Sequence, residues 1–206
     1  MNKSYLYILV AGVLLIMLAG LWFGMRQEHD RMYEEAIIKY RNEKNVFMLQ
    51  SNDSPVPDRK NFNGLSYFSP DKKYKFEVKI RASEDTGIYK MRMTDKEEEN
   101  FQRYGQADFT IEGQKQTLCL FKYLNTKDSA GVKLFLPFTD LTNGAETYAG
   151  GRYIDVELKP DSTAVLDFNM AYNPFCVYNH YYVCPVPPKE NRLKIRIPAG
   201  EREFKP

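Results

Sequence analysis

From Tyr74 onward, apolar residues recur at every second position. Tyr74, Phe76, Val78 and Ile80 alternate with Lys75, Glu77 and Lys79, and the same spacing returns at Phe109 and Ile111, at Leu118 and Leu120, at Ile154, Val156 and Leu158, and at Leu193, Ile195 and Ile197. Successive side chains of a strand point to opposite faces, so this period sets one face against a core and the other against water. No helical pattern of about 10–15 residues separates these runs, which argues against βαβ units. The spacing predicts a mainly β domain, a single β-sandwich or partly closed barrel. Between Asp108 and Phe121, the stretch Glu112–Lys115 with Gly113 reads as a hairpin turn. The 15 Tyr and 13 Phe, against one Trp, agree with a strand-rich chain.

A different constraint governs the beginning of the sequence. Tyr5–Met25 (YLYILVAGVLLIMLAGLWFGM) holds no charged residue, and about 20 apolar residues suffice to cross a bilayer as a helix. Tyr5, Tyr7 and Trp22 lie near its ends, where amphipathic rings prefer the interface. The run exceeds the apolar region of a secretory signal, about 7–15 residues, and is followed by no convincing Ala-x-Ala site and no lipid-bearing Cys. Residues 1–25 are thus expected to be an uncleaved transmembrane anchor. Lys3 opposes Arg26, Arg31 and Lys39 across the run; counted alone, that bias keeps the following domain in the cytoplasm. The rule weakens for long translocated domains, and a short tail ahead of a long soluble part is the layout of a signal anchor. The expectation is a single-pass protein of the cytoplasmic membrane with its C-terminal domain outside the cytoplasm, in the cell envelope.

Residues 26–50 carry Tyr33, Ala36, Ile37, Tyr40 and Phe47 at helical spacing, with charge elsewhere. They predict a short amphipathic juxtamembrane helix that packs on the domain or spaces it from the bilayer. Residues 51–61 (SNDSPVPDRKN) concentrate breakers and read as a linker, leaving 62–206 as the β domain.

A net charge of +2 leaves no footprint for nucleic acid, and 2 His with 3 Cys leave little material for a multi-metal site. No G-x-S-x-G, H-E-x-x-H, Walker or dinucleotide-type glycine motif is present. Neither cofactor nor metal is expected. The C-terminal third supplies the candidate binding residues: Arg152, Asp155, Asp167, Asn169, Tyr172, Asn173, His180, Glu190 and Asn191. Polar groups set among aromatics need hydrogen-bond partners or a ligand. Gly150 and Gly151 permit close approach or positive φ beside Arg152. Arg152 offers a two-pronged grip on an anion, and His180, between aromatics, reads as hydrogen-bonded structure rather than a general base. The leading reading is a domain whose polar C-terminal loops bind a small molecule or an envelope partner. The alternatives are a hydrolase with Asp167 and Glu190 as acid and base, and a structural module in which these groups form a buried network.

The motifs GLSYFSPDKKYKF, FQRYGQADFTIEG, LFLPFTDLTNGAETYAGGRYIDV and DFNMAYNPFCVYNHYYVCPVPPKENRL, with a closing AGE, resemble the bacterial family called domain of unknown function 1684, from about Gly64 to Gly200. The resemblance implies one compact, mainly β domain, often exported, and transfers no catalytic mechanism. Within it, Cys176, His180 and Cys184 are spaced i, i+4, i+8. Prolines on both flanks disfavour a helix or straight strand, so a folded-back loop is expected. That geometry leaves three uses for the cysteines: a Cys176–Cys184 disulfide, a zinc site completed from elsewhere, or free thiols. Cys119, in an apolar strand, reads as a small core residue.

Overall fold

The computed structural model describes residues 3–85, 87–124 and 132–205, with backbone alone for 3–6 and 8–11. One long helix, α1 (Lys3–Gln50), precedes seven strands: β1 (Lys75–Ala82), β2 (Ile88–Arg92), β3 (Glu98–Ile111), β4 (Gln114–Tyr123), β5 (Val132–Phe138), β6 (Arg152–Leu158) and β7 (Thr163–Asp167). All pairings are antiparallel, in the order β6-β5-β4-β3-β1-β7, with β2 on the first half of β3. β6 and β7 stand at opposite ends of that order yet follow each other in the chain through a tight turn at Lys159–Ser162, where Lys159 N donates to Thr163 O at 2.9 Å. The sheet therefore curls until its two edges meet, and the expected partly closed barrel is a nearly closed one.

Local chemistry sets the curvature. The β3–β4 turn is the two-residue loop Glu112-Gly113, both at positive φ (51° and 75°), with Ile111 opposite Gln114; such a turn matches the twist of its strands. Along the 14-residue β3, the register with β4 shifts between Arg103 and Gly105. A Cβ at Gly105 would lie 2.5 Å from the Arg81 carbonyl oxygen, so only glycine lets β3 bend there and pair with β1.

The alternation read from the sequence fills the barrel. Val78, Ile80, Phe109, Leu118, Leu120, Leu134, Leu136, Ile154, Val156 and Leu166 form one core around the fully buried Phe168. The opposite face of β3–β6 is also covered: Phe101, Cys119, Phe121, Phe135 and Tyr153 make a second apolar layer. Strands buried on both faces read as continuous apolar runs, as in LCLF and LFLPF. The expected strand at Leu193–Ile197 is not one. Those three side chains are buried in the core, but the backbone is an irregular strap, bonded to the end of β5 through Leu193 N to Thr139 O (2.8 Å) and Leu141 N to Ile195 O (2.9 Å).

α1 runs unbroken through both expected N-terminal segments. Among the described residues, no helix is long and apolar enough to cross a membrane, so the expected transmembrane span is unsupported there; the first part of its apolar run lies outside the described side chains. From Val13 to Leu18 every side chain is exposed, as are Leu21, Trp22, Phe23 and Met25. The second half docks on the barrel through Tyr33, Ile37, Arg41 and Met48, whereas Ala36 faces solvent. The following 51–61 segment packs as well: Ser54 Oγ donates to Met48 O at 2.6 Å, and Val56 joins Met48, Leu65 and Tyr178 in a third apolar cluster.

Phe168 touches the rings of Phe76, Phe109 and Phe138 with centroids 6.1, 5.6 and 5.1 Å away. Phe168→Ala is expected to cost about 3–5 kcal/mol, read as a lowered urea midpoint.

Candidate functional site

The nine candidate residues do not converge on one cavity. Arg152, at the start of β6, is fully buried. Its Nη2 donates to Asp140 Oδ2 at 2.8 Å and to Ile197 O at 3.0 Å, and its Nη1 donates to the carbonyls of Ala199 and Glu201. Burial pushes the guanidinium pKa down, and Asp140 opposes that shift. No side of this group is open to an anion; the expected open grip is replaced by an internal clamp, with Asp140 rather than Asp155, Asp167 or Glu190 as its carboxylate. Gly151 makes the approach feasible: at φ 99° a Cβ there would meet Phe138 O at 2.7 Å and Pro187 Cγ at 2.6 Å.

Asn173 and Asn191 are also fully buried and spent on structure. Asn173 Nδ2 donates to Glu201 Oε1 (2.9 Å) and Arg202 O (2.8 Å). Asn191 Nδ2 donates to Cys119 O (2.8 Å) and Pro137 O (2.7 Å), and its Oδ1 accepts from Cys119 N (2.7 Å). Pro137 has no N–H to give β4, so the Asn191 amide completes the ladder that proline interrupts. Glu190 accepts from Arg103 Nη2 at 2.7 Å on the exposed side of β3. Asp167 is bonded to other partners, so the proposed acid–base pair of Asp167 and Glu190 is not assembled. His180 is exposed, its ring tilted against that of Tyr181 with centroids 4.3 Å apart.

Asp155, Asp167, Asn169 and Tyr172 are brought to one place, the seam between β6 and β7. The seam is closed at one end by the Lys159–Thr163 bond and at the other by Tyr153 and Tyr172, which exchange N–H···O bonds of 2.9 Å in both directions. Between these points, among the described residues, no backbone bond joins β6 to β7. The alternation carried from Tyr153 turns the main-chain groups of Asp155 and Glu157 toward β7. A cleft of about 520 Å³ lies here, lined by Tyr40 of α1, Lys75, Lys133, Asp155, Glu157, Lys159, Val165, Asp167 and Met170.

Two of its carboxylates are committed. Asp155 accepts from Tyr172 OH at 3.0 Å and pairs with Lys133 at 3.3 Å. Asp167, nearly buried, accepts from Tyr33 OH of α1 at 2.9 Å and from Asn169 N and Nδ2 at 3.0 Å. Asn169 ties the group to the entry of β1, its Oδ1 accepting from Asp71 N at 2.9 Å. Burial and the neighbouring carboxylates raise the phenol pKa values of Tyr33 and Tyr172, and the same causes push Tyr40 up to about 12; all three remain neutral donors near pH 7. Among the described residues, Lys75 and Lys159 have no ion-pair partner, and Lys75 Nζ rests 4.8 Å from the Tyr33 ring centroid.

The lysines come from β1, β5 and the β6–β7 turn, where their signal in the sequence is only a charge at an outward or turn position, and Tyr40 comes from α1, where it reads as part of the apolar helical spacing. Cys176 and Cys184 are adjacent but not bonded: all three cysteines are free thiols, so the expected disulfide is not formed. Among the described residues, no group of three or more His, Cys, Asp or Glu side chains is placed to hold a metal ion.

Fold and seam together define a nearly closed antiparallel β-barrel with a helix docked beside the gap between β6 and β7. The chain belongs to the family described as Protein of unknown function (DUF1684), which matches residues 60–202. It is also similar to a solved structure, the solution NMR structure of the uncharacterized protein from gene locus rrnAC0354 of Haloarcula marismortui. That similarity has 33% identity and a TM-score of 0.66, and covers 85% of this chain and 96% of that one. This coverage exceeds the span of residues 60–202, so the likeness extends outside the family stretch. No curated protein matches the chain.

Arg152→Met leaves Asp140 charged and buried without its cation, which costs about 3–5 kcal/mol. The expected result is a urea midpoint displaced far toward zero denaturant; an unchanged midpoint would show that the clamp does not hold the fold.

Proposed function

We propose that this chain is a membrane-tethered binding module of the cell envelope, whose barrel takes a small molecule bearing an anionic group into the seam cleft. The observation that carries the ligand class is which charges there lack an ion pair. Three lysines face three carboxylates across the cleft; Lys133 pairs with Asp155 and Asp167 is held by hydroxyl and amide donors, so Lys75 and Lys159 are the cations that an anion can reach without displacing an ion pair. Clefts with apolar walls and a few convergent polar groups are the usual places for small ligands. Val165, Met170 and Ile154 supply the apolar wall.

Tethering rests on a separate observation. The exposed side chains at Val13–Leu18 occupy consecutive positions, so they surround the helix rather than form one stripe. An all-round apolar helix is covered by lipid more readily than by one docking partner, and the apolar run in the sequence starts further back, at Tyr5. The signal-anchor reading of the apolar run supports a barrel outside the cytoplasm.

Two measurements test this reading. A thermal-shift screen of the full chain against anionic small molecules is expected to yield a stabilising ligand. Lys75→Glu and Lys159→Glu are each expected to weaken it by about tenfold or more, since a hydrogen bond to a charged group is worth about 1.5–3 kcal/mol. A ligand indifferent to both changes would overturn the seam as its site. In cells, the full chain is expected to stay with membranes after a high-salt wash and to be cut by protease added to spheroplasts. Release by salt would sink the anchor, and protection from protease would sink the orientation.

A further inference from the structure

A second constellation lies away from the seam, in the loop that follows Asn173. Pro174 opens a single 3-10 turn, Phe175–Val177, and an Asn179 turn follows, with Oδ1 accepting from Tyr181 N at 3.1 Å and the carbonyl accepting from Tyr182 N at 3.1 Å. The chain thereby doubles back and brings Cys184 against Cys176. Cys176 N donates to Cys184 Sγ at 3.3 Å, which sets the two thiols side by side. Neither cysteine is loosely held. Cys184 exchanges bonds of 3.0 Å with Thr94 on both sides of its backbone, N–H to the Thr94 hydroxyl and carbonyl from Thr94 N–H. The next residue, Pro185, bridges Met93 and accepts from Tyr153 OH.

We propose that Cys176 and Cys184 form a thiol–disulfide exchange site, with Cys176 meeting a disulfide-bearing reactant and Cys184 resolving the mixed disulfide. The roles follow from access: Cys176 is partly exposed, whereas Cys184 is 6% exposed. The third thiol does not compete, because Cys119 is buried in the second apolar layer, accepting from Gln106 Nε2 at 3.7 Å.

The surroundings favour one shared proton. Cys176 supplies S–H and N–H to the Cys184 sulfur, which brings the Cys184 pKa down to about 7 while the Cys176 thiol is pushed up by the same contact. The groups facing the pair are phenols: Tyr148, beside Cys176, together with Tyr153 and Tyr123. All are neutral near pH 7, so hydrogen bonds rather than a cation stabilise the thiolate. Access therefore selects Cys176 as the attacking sulfur, and the Cys184 thiolate beside it serves as the base that takes its proton.

The chemistry balances with a disulfide as the oxidant. Cys176 sulfur attacks one sulfur of the donor disulfide as its proton passes to the Cys184 thiolate, and a donor thiolate leaves. Cys184 then gives its proton to that thiolate and attacks Cys176 Sγ, expelling the second donor sulfur as a thiolate. The protein pair is oxidised by two electrons and the donor disulfide is reduced to its two sulfur fragments.

The test uses the full chain and oxidised glutathione, followed by intact mass and peptide mapping. The wild-type chain is expected to lose two hydrogens and yield a Cys176–Cys184 linked peptide, with Cys119 alkylated only after denaturation. Cys184→Ser is expected to stop with one glutathione on Cys176, and Cys176→Ser to take none on Cys184. A wild-type chain that stays reduced under glutathione conditions that oxidise a simple dithiol would overturn the proposal, as would a linkage through Cys119 or glutathione found on Cys184. Circular dichroism checks that the variants fold. If Cys184→Ser does not, pulse alkylation of the wild type decides the order: Cys176 labelled first supports it, and Cys184 labelled first overturns it.

Discussion

An arginine placed wholly inside a small barrel must keep its charge, because guanidinium cannot shed its proton under ordinary conditions. Taking such an ion and its carboxylate partner out of water costs several kcal/mol per ion, and only close, saturated geometry repays that. The requirement propagates from Arg152 through the fold. Asp140 must present Oδ2 to the guanidinium while Oδ1 accepts from Thr142 N at 2.7 Å and Ile197 N at 3.2 Å, which fixes the loop after β5. The carbonyls of Ile197, Ala199 and Glu201 must turn inward to the same group. A segment with those carbonyls engaged cannot run as a regular ladder strand. The C-terminal strap is therefore irregular, though its side chains keep the alternation of a strand.

The same strap delivers the next fixed point. Glu201, 1% exposed, accepts from Asn173, from Tyr178 OH and from Lys44 Nζ of α1 at 2.9 Å. Beside it, Arg41 of α1 donates to Phe68 O at 2.8 Å and Asn169 O at 3.1 Å. Helix and barrel are thus joined by directional polar bonds that set the helix's register, with Ile37 and Met48 as the apolar contacts of the same face. An open sheet edge invites pairing with another chain. Here the edges of β6 and β7 face each other, and α1 stands over part of the gap, its Tyr33 and Tyr40 reaching Asp167 and the cleft.

Much of the barrel was legible because one rule generates it. Where a strand has one buried face, the period of two survives in the sequence, as at Val78 and Ile80 or Phe109 and Ile111, and the positive-φ requirement left its mark at Gly113 and Gly151. The rest depends on contacts between distant residues. The second apolar layer was hidden because residues such as Phe121 and Phe135 fill the polar half of the alternation. Leu193–Ile197 carried a true pattern with the wrong backbone, since nothing local reveals that Arg152 engages the carbonyl of Ile197 at its end and those of Ala199 and Glu201 just beyond. Asn191 stood out as a polar residue among apolar ones, but its role follows from the N–H that Pro137 lacks, 54 positions earlier. Proline framing did foretell the fold-back that brings Cys176 to Cys184, although the two sulfurs are thiols.

The candidate site shows the same division more sharply. A stretch dense in polar residues looks functional in one dimension because their partners are not visible. In three dimensions Arg152, Asn173 and Asn191 each prove enclosed and engaged with the protein's own groups, Asn191 through both its amide atoms and Arg152 and Asn173 through all but Nε and Oδ1, and enclosure removes them from binding: a buried group turned to internal partners has little to offer a ligand. What a ligand needs is the reverse, a charge near solvent whose partner is missing. Lys75 and Lys159 meet that condition, on β1 and the β6–β7 turn, and the incomplete closure of the barrel brings them to one cleft. The gap between β6 and β7 is thus where the fold leaves charged side chains near solvent beside an open seam, the arrangement on which the proposed anion site rests.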